Sequence, residues 1–325
     1  MKRKELIQAL EKERGSRAIA YITGEHAPFR TQIAQDIVPF LGKQLDRIGQ
    51  VEKISLFLYT HGGDMLAPVR IVKLIRNHCK EFEVLVPYRA HSAGTLIALG
   101  ADKIVMSRLG ELTPVDPSTG HPFNPVNPRN SNENLPISVE DLNSYFLLAK
   151  EKAGVSDTQM SEVMRILAEK IHPLALGNAY RTYRMGRLIA ERMLKLHIDP
   201  KKEQERIERI VKEMGDITIH AYPIDREEAN ELGLDIENAS NTSASHMHQL
   251  YEEYAETMGL GRQFNPQEFL QDKEINEFEY SGGYLETADL SYQFIYRAKA
   301  QKTIKNNQPT VDVNVQSSSW EEKEI

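Results

Sequence analysis

The chain has 325 residues, of which 40% are hydrophobic and 27% are charged, a composition typical of a soluble globular protein. This length predicts one large domain with additions, or two domains. Its formal net charge of −7 argues against a general nucleic-acid-binding surface, and its single cysteine, Cys79, excludes an internal disulfide and suits a reducing compartment. No apolar run is long enough to cross a bilayer, and charges interrupt the basic N-terminus before a signal-peptide core could form. These features together predict a cytoplasmic protein without a membrane span.

Strand-like and helix-like segments alternate over the first hundred residues. A helical stretch is expected at 1–15, and short β-rich runs lie at 18–24, 53–60, 82–88 and 103–107. Segments with apolar residues at helical spacing lie between them, at 31–49, 65–79 and 94–101. This alternation predicts an α/β fold in which a mostly parallel sheet is built from βαβ units.

The pattern changes after residue 117. The proline-rich segment 118–138 predicts a long loop without helix or strand, a candidate lid. Helices are expected at 139–153, 156–171, 174–197 and 201–214, followed by strand and turn character at 216–225. We therefore expect a main domain over 16–238 with helical insertions, a C-terminal appendage over 239–305, and a disordered polar tail over 306–325.

Two turns follow the second and third predicted strands. The first reads "YTHGGD" (59–64), where Gly62 and Gly63 can turn tightly and leave backbone N–H groups free, as an oxyanion hole requires. The second reads "HSAG" (91–94) and places Ser92 before an apolar helix. Because ligand sites form at the carboxyl ends of parallel strands, both turns are expected to lie at one cleft if their strands are neighbours.

The series "LYTHGGD" (58–64), "VLVPYRAHSAGTLIALGADKIVMS" (84–107), "LGELTPVDP" (109–117) and "HAYPIDREEANELGL" (220–234) resembles the serine dehydrogenase proteinase family. That family lies in the Clp protease/crotonase superfamily, with the Clp protease peptidase subunit and signal peptide peptidase A. The resemblance covers about 16–237 and implies a Clp/crotonase-like spiral of βαβ units that assembles into homo-oligomers. It further implies that Ser92 is the nucleophile, that the amides of Gly63 and Ala93 are the oxyanion donors, and that Gly62 shapes the turn.

The general base is less directly indicated. In the Clp peptidase subunit a histidine follows the serine and an aspartate comes from a later strand, whereas the corresponding positions here hold Asp116 and His220. We therefore predict a permuted triad in which His220 is the base and Asp116 orients it, since triads are defined by geometry rather than chain order. The alternative base is Lys150 or Lys152, as in the serine–lysine dyads of signal peptide peptidases, and requires a desolvated lysine.

Two further histidines flank the predicted cleft. His61 stands where the family usually has proline, and His91 lies where methionine is usual. Either imidazole could compete as base, although His91, directly beside the nucleophile, is expected to point away as a rim residue. The "HMH" motif (246–248) and the basic segment 181–193 are interpreted as a surface helix and a packing or subunit-contact helix.

The sequence thus predicts a serine peptidase that acts on peptides or proteins without a metal or other cofactor. It contains no P-loop signature, so energy-driven unfolding would require a separate partner, for which the C-terminal appendage is a candidate contact. Two alternatives stay open. One is a crotonase-like enzyme that acts on acyl-coenzyme A thioesters, and the other is a catalytically silent oligomeric scaffold in which "HSAG" is only a packing turn.

Overall fold

The computed structural model describes residues 2–115, 121–217, 219, 221–271, 273–305 and 308–324. The chain divides into two compact units, the first formed by Met1–Thr113 with Pro223–Ile325 and the second by Pro114–Tyr222. The main domain expected over 16–238 is therefore divided at its middle, and the N-terminal and C-terminal segments belong to one unit.

The helices and strands are numbered in chain order. The helices are α1 (Lys2–Arg14), α2 (Val38–Ile48), α3 (Ala67–Arg76), α4 (Ala93–Leu99), α5 (Val139–Leu147), α6 (Met160–Lys170), α7 (Pro173–Leu194), α8 (Pro200–Asp216), α9 (Arg226–Glu231) and α10 (Asn241–Met258). The strands are β1 (Arg17–Thr23), β2 (Val51–Tyr59), β3 (Cys79–Val86), β4 (Arg89–Ala90), β5 (Lys103–Met106), β6 (Glu111–Leu112), β7 (Val126–Asn127), β8 (Asn130–Asn134), β9 (Ile236–Asn238), β10 (Ile275–Glu286), β11 (Ser291–Lys305) and β12 (Gln308–Lys323).

The first unit is built on one sheet with the strand order β12-β11-β10-β1-β2-β3-β5-β9. Strands β1, β2, β3, β5 and β9 run parallel, and β10 to β12 extend the sheet antiparallel from β1. The inner strands are buried almost throughout, as expected where both faces of a parallel sheet are covered. The predicted α/β class with a mostly parallel central sheet is confirmed.

Helices α1 and α10 share one hydrophobic core with the sheet. Leu6 and Leu10 of α1 and Leu250 of α10 are buried in the same cluster as Phe57 and Tyr59 of β2. The segment described from sequence as an appendage therefore contributes to the core of the first unit. Within the residues that the structure describes, no helix combines the length and hydropathy needed to cross a membrane.

The prediction of a disordered tail over 306–325 is wrong for residues 308–323. These residues form β12, which pairs with β11 from Lys305↔Gln308 to Ser291↔Lys323. Val313 and Val315 pack beside a cluster that contains Phe29. The polar composition of the tail concealed this alternation of apolar residues, which is the pattern of a strand with one covered face.

Two other local predictions differ from the structure. The segment 118–138 was expected to lack secondary structure, but β7 and β8 pair as a short antiparallel hairpin within it, and residues 118–120 lie outside the described part. At 216–225, where strand and turn character was expected, the described residues form an antiparallel bridge between Leu112 and Ile224. Asparagine and proline weaken strand propensity in the first case but do not prevent a short two-stranded pairing.

A buried charge network joins α1 to the sheet. The Glu83 side chain on β3 has no solvent exposure, and its carboxylate accepts hydrogen bonds from Arg14 Nη2 at 2.7 Å and from Ser55 Oγ at 2.6 Å. Lys53 Nζ lies 2.7 Å from the same carboxylate. Burial raises the pKa of Glu83, but the hydrogen bonds from Arg14, Lys53 and Ser55 lower it by more, so it lies below the ordinary value of 4.5.

We expect Arg14→Ala to lower the free energy of unfolding by about 3 kcal/mol, because it leaves a buried carboxylate with one cation fewer. The depressed pKa of Glu83 means that the stabilisation by Arg14 is present above pH 4.5 and is lost as the pH falls below that value. Denaturant unfolding at pH 7 and pH 3 measures both effects, and the difference between variant and wild type should shrink at pH 3.

Lys80→Ala is the matched control, because Lys80 and Glu52 form an ion pair in which both side chains are more than three-quarters exposed. An exposed pair contributes at most about 1 kcal/mol. If Arg14→Ala and Lys80→Ala lowered the free energy of unfolding equally, a stabilising role for the buried network would be contradicted.

Candidate active site

Ser92 occupies a strained turn between β4 and α4. Its backbone has φ 50° and ψ −107°, and the Gly94 N–H donates to the His91 carbonyl at 2.7 Å across the turn. These angles match the first central position of a type II′ turn, which normally holds glycine. A serine in this conformation is a local outlier of the kind that clusters at active sites.

The backbone around Ser92 is held tightly, whereas its hydroxyl is free. The Ser92 N–H donates to Thr113 Oγ1 at 2.8 Å, and the Ser92 carbonyl accepts from Leu96 N at 3.1 Å in the first turn of α4. Thr95 Oγ1 donates to the Ala90 carbonyl at 2.8 Å and fixes the start of that helix. Among the described residues, none forms a hydrogen bond with Ser92 Oγ, so the structure does not use this hydroxyl to satisfy a buried group.

The Gly62–Gly63 turn packs closely between Ser92 and the segment that precedes α2. At Gly62 φ is 105°, and a Cβ added there would lie 2.8 Å from Ser92 Cβ. At Gly63 a Cβ would lie 2.1 Å from the Ile33 carbonyl oxygen. Ile33 N donates to the Gly62 carbonyl at 2.9 Å, and Asp64 N donates to the Ile33 carbonyl at 2.7 Å. Only glycine fits at both positions, and the close approach brings the two turns together.

Two backbone amides at this junction are unused. In the described part of the chain, no acceptor forms a hydrogen bond with the N–H of Gly63 or of Ala93. The Gly62 N–H differs, since it donates to Thr60 Oγ1 at 3.0 Å. Unpaired backbone donors are uncommon in folded proteins, and a pair of them beside a free hydroxyl can bind an oxyanion.

A carboxylate that the sequence did not indicate lies behind His61. Glu25 Oε2 is 2.6 Å from His61 Nε2 and accepts from the Tyr59 hydroxyl at 2.9 Å. Glu25 Oε1 accepts from the Gly261 N–H at 2.6 Å. The hydrogen bond from His61 lowers the pKa of Glu25 to about 2 and outweighs the effect of burial. The only sequence signal for Glu25 is its position just beyond β1, at the carboxyl end of a parallel strand.

A second imidazole–carboxylate pair lies on the Ser92 side. His91 Nε2 is 3.0 Å from Glu111 Oε1, and burial lowers the pKa of His91 to about 4, so the ring is neutral near pH 7. Arg89 connects the pairs, with Nε 3.1 Å from Glu111 Oε1 and Nη1 3.7 Å from Glu25 Oε2. The His61 and His91 rings meet edge to face at 5.5 Å.

Comparison with known proteins finds a family model that matches the N-terminal part of the chain. Residues 1–143 match the model of the ClpP-like SDH-type serine proteinases. The match includes β1 to β8 and both turns of the candidate site, and it confirms the resemblance to the serine dehydrogenase proteinases.

Two curated relatives of this chain are uncharacterized proteins of Methanocaldococcus jannaschii. One is 32% identical over 184 residues, which cover 57% of this chain and 53% of that protein. The other is 32% identical over 136 residues, which cover 37% of this chain and 43% of that protein. The chain spans about half the length of the curated relatives it matches.

Solved structures similar to this chain include two proteases. A membrane-bound stomatin-specific protease in complex with a substrate peptide has 16% identity and a TM-score of 0.39, over 70% of this chain and 78% of its own. ClpP1 from Listeria monocytogenes has 15% identity and a TM-score of 0.37, over 73% of this chain and 96% of its own.

The structure describes the two lysines predicted as alternative bases, but not the predicted His220–Asp116 pair. Asp116 and His220 lie outside the described residues. Lys150 lies in the second unit, on a π-helical turn (Leu148–Lys152), where its Nζ is 2.9 Å from Asp157 Oδ1 and both side chains are exposed. The hydrogen bond to Asp157 raises the pKa of Lys150, the opposite of the change that a lysine base requires. Lys152 is exposed on the same turn.

The "HMH" motif lies on α10. His246 Nδ1 is 3.3 Å from Glu13 Oε2, and His248 Nε2 is 3.5 Å from Glu252 Oε1. Within the described ranges, no cluster of three or more histidine, cysteine or acidic side chains has the arrangement of a metal site. Both histidines therefore have carboxylate neighbours that account for their positions on the helix surface.

Proposed function

We propose that the protein is a serine peptidase in which Ser92 forms an acyl-enzyme. The observation that carries this proposal is the free hydroxyl of Ser92, held at a positive φ directly against the Gly62–Gly63 turn. A turn that stores strain to present one side chain suits a nucleophile better than a packing residue. The match of residues 1–143 to the model of a serine proteinase family supports the same reaction.

The chemistry follows from the groups at the junction. Ser92 Oγ attacks the scissile carbonyl carbon and its proton passes to the base, while the carbonyl oxygen becomes an oxyanion that accepts from the N–H groups of Gly63 and Ala93. As the tetrahedral intermediate collapses, the C–N bond breaks and the leaving amine takes the proton from the base. Water then attacks the Ser92 ester, again assisted by the base, and releases the second product.

His220, oriented by Asp116, is our proposed base. The support is the family resemblance of the segments that contain them, together with the ion pair that keeps Lys150 charged. His91 is a poorer candidate because its Nε2 is directed to Glu111. Lys152 is the remaining alternative, and its exposure would have to be lost before it could act as a base.

The substrate class, oligomeric state, cellular location and partner contact are also proposals. We assign it peptide or protein substrates and a homo-oligomeric state, which follow from the family resemblance. The single cysteine, Cys79, supports a cytoplasmic location, and residues 239–305 stay a candidate contact for a separate partner.

Labelling with a fluorophosphonate probe tests the proposal. The phosphorus forms a bond to Ser92 Oγ, fluoride leaves, and the hydroxyl proton passes to the base. We expect stoichiometric labelling of the wild type, none of Ser92→Ala, and a loss of about 10²-fold or more in the labelling rate of His220→Ala. Mass spectrometry of the intact protein measures the adduct.

Lys150→Ala and Lys152→Ala are the matched variants for the base. Each should label at the wild-type rate, and a loss confined to one of them would transfer the base role to that lysine. Absence of labelling together with saturable binding of an acyl-coenzyme A thioester would instead establish the crotonase-like alternative. Absence of both would leave a silent scaffold or a latent enzyme that requires a partner.

A further inference from the structure

We propose that Glu25 is a positioning residue for the Gly62–Gly63 amide turn and acts on it through His61. This inference rests on the proposed function, because it assigns Glu25 a role in presenting the oxyanion donors. Glu25 touches neither Ser92 nor the two free amides in the structure. Its effect would be transmitted by the side chain next to the turn.

The contacts of Glu25 reach two different parts of the first unit. Oε2 binds the Tyr59 hydroxyl at the end of β2 and the His61 ring just beyond it. Oε1 binds the Gly261 N–H, which follows α10. Because the pKa of Glu25 is about 2, the carboxylate is ionised throughout any practical assay range, and all three hydrogen bonds go to a charged acceptor.

His61 is the residue through which this anchor reaches the turn. It precedes Gly62 in the chain, and Gly62 lies so close to Ser92 that an added Cβ would be 2.8 Å from Ser92 Cβ. Two glycines in succession give the turn little stiffness of its own. The Ile33 backbone holds the turn on one side, and the hydrogen bond between Glu25 and His61 holds the residue that enters it.

The other charged groups near Glu25 do not replace it. Arg89 Nη1 lies 3.5 Å from His61 Nε2 and 3.7 Å from Glu25 Oε2, so the guanidinium and His61 both face the same carboxylate oxygen. Glu111 is committed to Arg89 and His91. Without the Glu25 carboxylate, a cation would face the His61 nitrogen, and the ring would lose the acceptor that fixes its direction.

The kinetics of fluorophosphonate labelling separate positioning from binding. In Glu25→Ala we expect the limiting rate of labelling to fall about tenfold to hundredfold, with the half-saturating probe concentration unchanged within about twofold. Glu25→Gln keeps one acceptor oxygen and should show a smaller loss. A misplaced oxyanion hole weakens transition-state stabilisation and leaves ground-state binding of the probe intact.

Glu286→Gln is the matched control. Glu286 is also a buried carboxylate that accepts from a tyrosine hydroxyl, at 2.7 Å from Tyr254, and it pairs with Arg3 at 3.0 Å. It has no contact with either turn of the candidate site among the described residues. We expect this variant to lose stability while keeping the wild-type limiting rate. An equal fall in the limiting labelling rate of Glu25→Ala and Glu286→Gln would show that Glu25 has only a structural role, and it would overturn the proposal.

Hydrogen exchange provides a readout that does not depend on activity. Exchange in the peptide that covers residues 58–66, followed by mass spectrometry, should accelerate in Glu25→Ala and stay unchanged in Glu286→Gln. If the wild type fails to label, the proposed peptidase function fails, but this exchange result still decides whether Glu25 positions the turn. Unchanged exchange in Glu25→Ala would overturn the positioning role even in an active enzyme.

Discussion

Replacing Ser92 by alanine or by glycine should abolish activity equally, but the glycine variant should be the more stable of the two. Either change removes the nucleophile, so peptide hydrolysis should fall by at least about 10³-fold. At φ 50° and ψ −107°, alanine keeps a Cβ in a conformation that costs about 1–3 kcal/mol, whereas glycine adopts it freely. After the entropy that glycine loses on folding, we expect Ser92→Gly to be more stable than Ser92→Ala by about 1 kcal/mol.

Ser245 on α10 provides the control for this comparison. It lies exposed within a regular helix, where alanine is favoured over glycine by about 1 kcal/mol. The order of the alanine and glycine variants should therefore be reversed at Ser245, as measured by unfolding in guanidinium chloride. If Ser92 shows the same order as Ser245, the turn is not strained, and the main structural argument for a nucleophile at Ser92 is lost.

Local sequence patterns predicted the inner half of the sheet well. The runs that became β1, β2, β3 and β5 are mainly apolar in their C-terminal halves, where each strand is buried. Strand β12 was not predicted, because most of its residues are polar and its extended structure depends on pairing with β11. Pairing between segments is a tertiary property, and composition within one window does not contain it.

In the candidate site too, local sequence predicted some features, whereas others depend on strand pairing. The small residues around Ser92 and the paired glycines are local signals, and the structure brings Gly62 against Ser92. Glu25 and Arg89 gave no such signal, because their place in the site depends on which strands pair side by side in the fold. Strand β1 runs beside β2 and carries Glu25 towards His61. The pairing of β4 with β6 sets Arg89 opposite Glu111.

Gly63→Ala should be the most disruptive single substitution near the candidate site. A Cβ at Gly63 would lie 2.1 Å from the Ile33 carbonyl oxygen and 2.6 Å from Ile33 N. Both are backbone atoms in the pairing between Ile33 and the turn, so relief requires that the two hydrogen bonds of this pairing break or that the chain moves. We expect a loss of about 3 kcal/mol or more in the free energy of unfolding, and loss of Ser92 labelling in any folded fraction.

Gly42→Ala is the matched substitution, because Gly42 lies in α2 and, among the described residues, its added Cβ meets nothing within 4 Å apart from its chain neighbours and the backbone of its own helix. Here alanine should raise the free energy of unfolding by about 0.5–1 kcal/mol and leave labelling unchanged. The contrast separates a steric effect at the turn from a general intolerance of added methyl groups. A Gly63→Ala protein that folds, labels and unfolds like the wild type would show that the turn can withdraw from Ile33. In that case the amide geometry on which the proposed oxyanion hole depends would not be fixed by the fold.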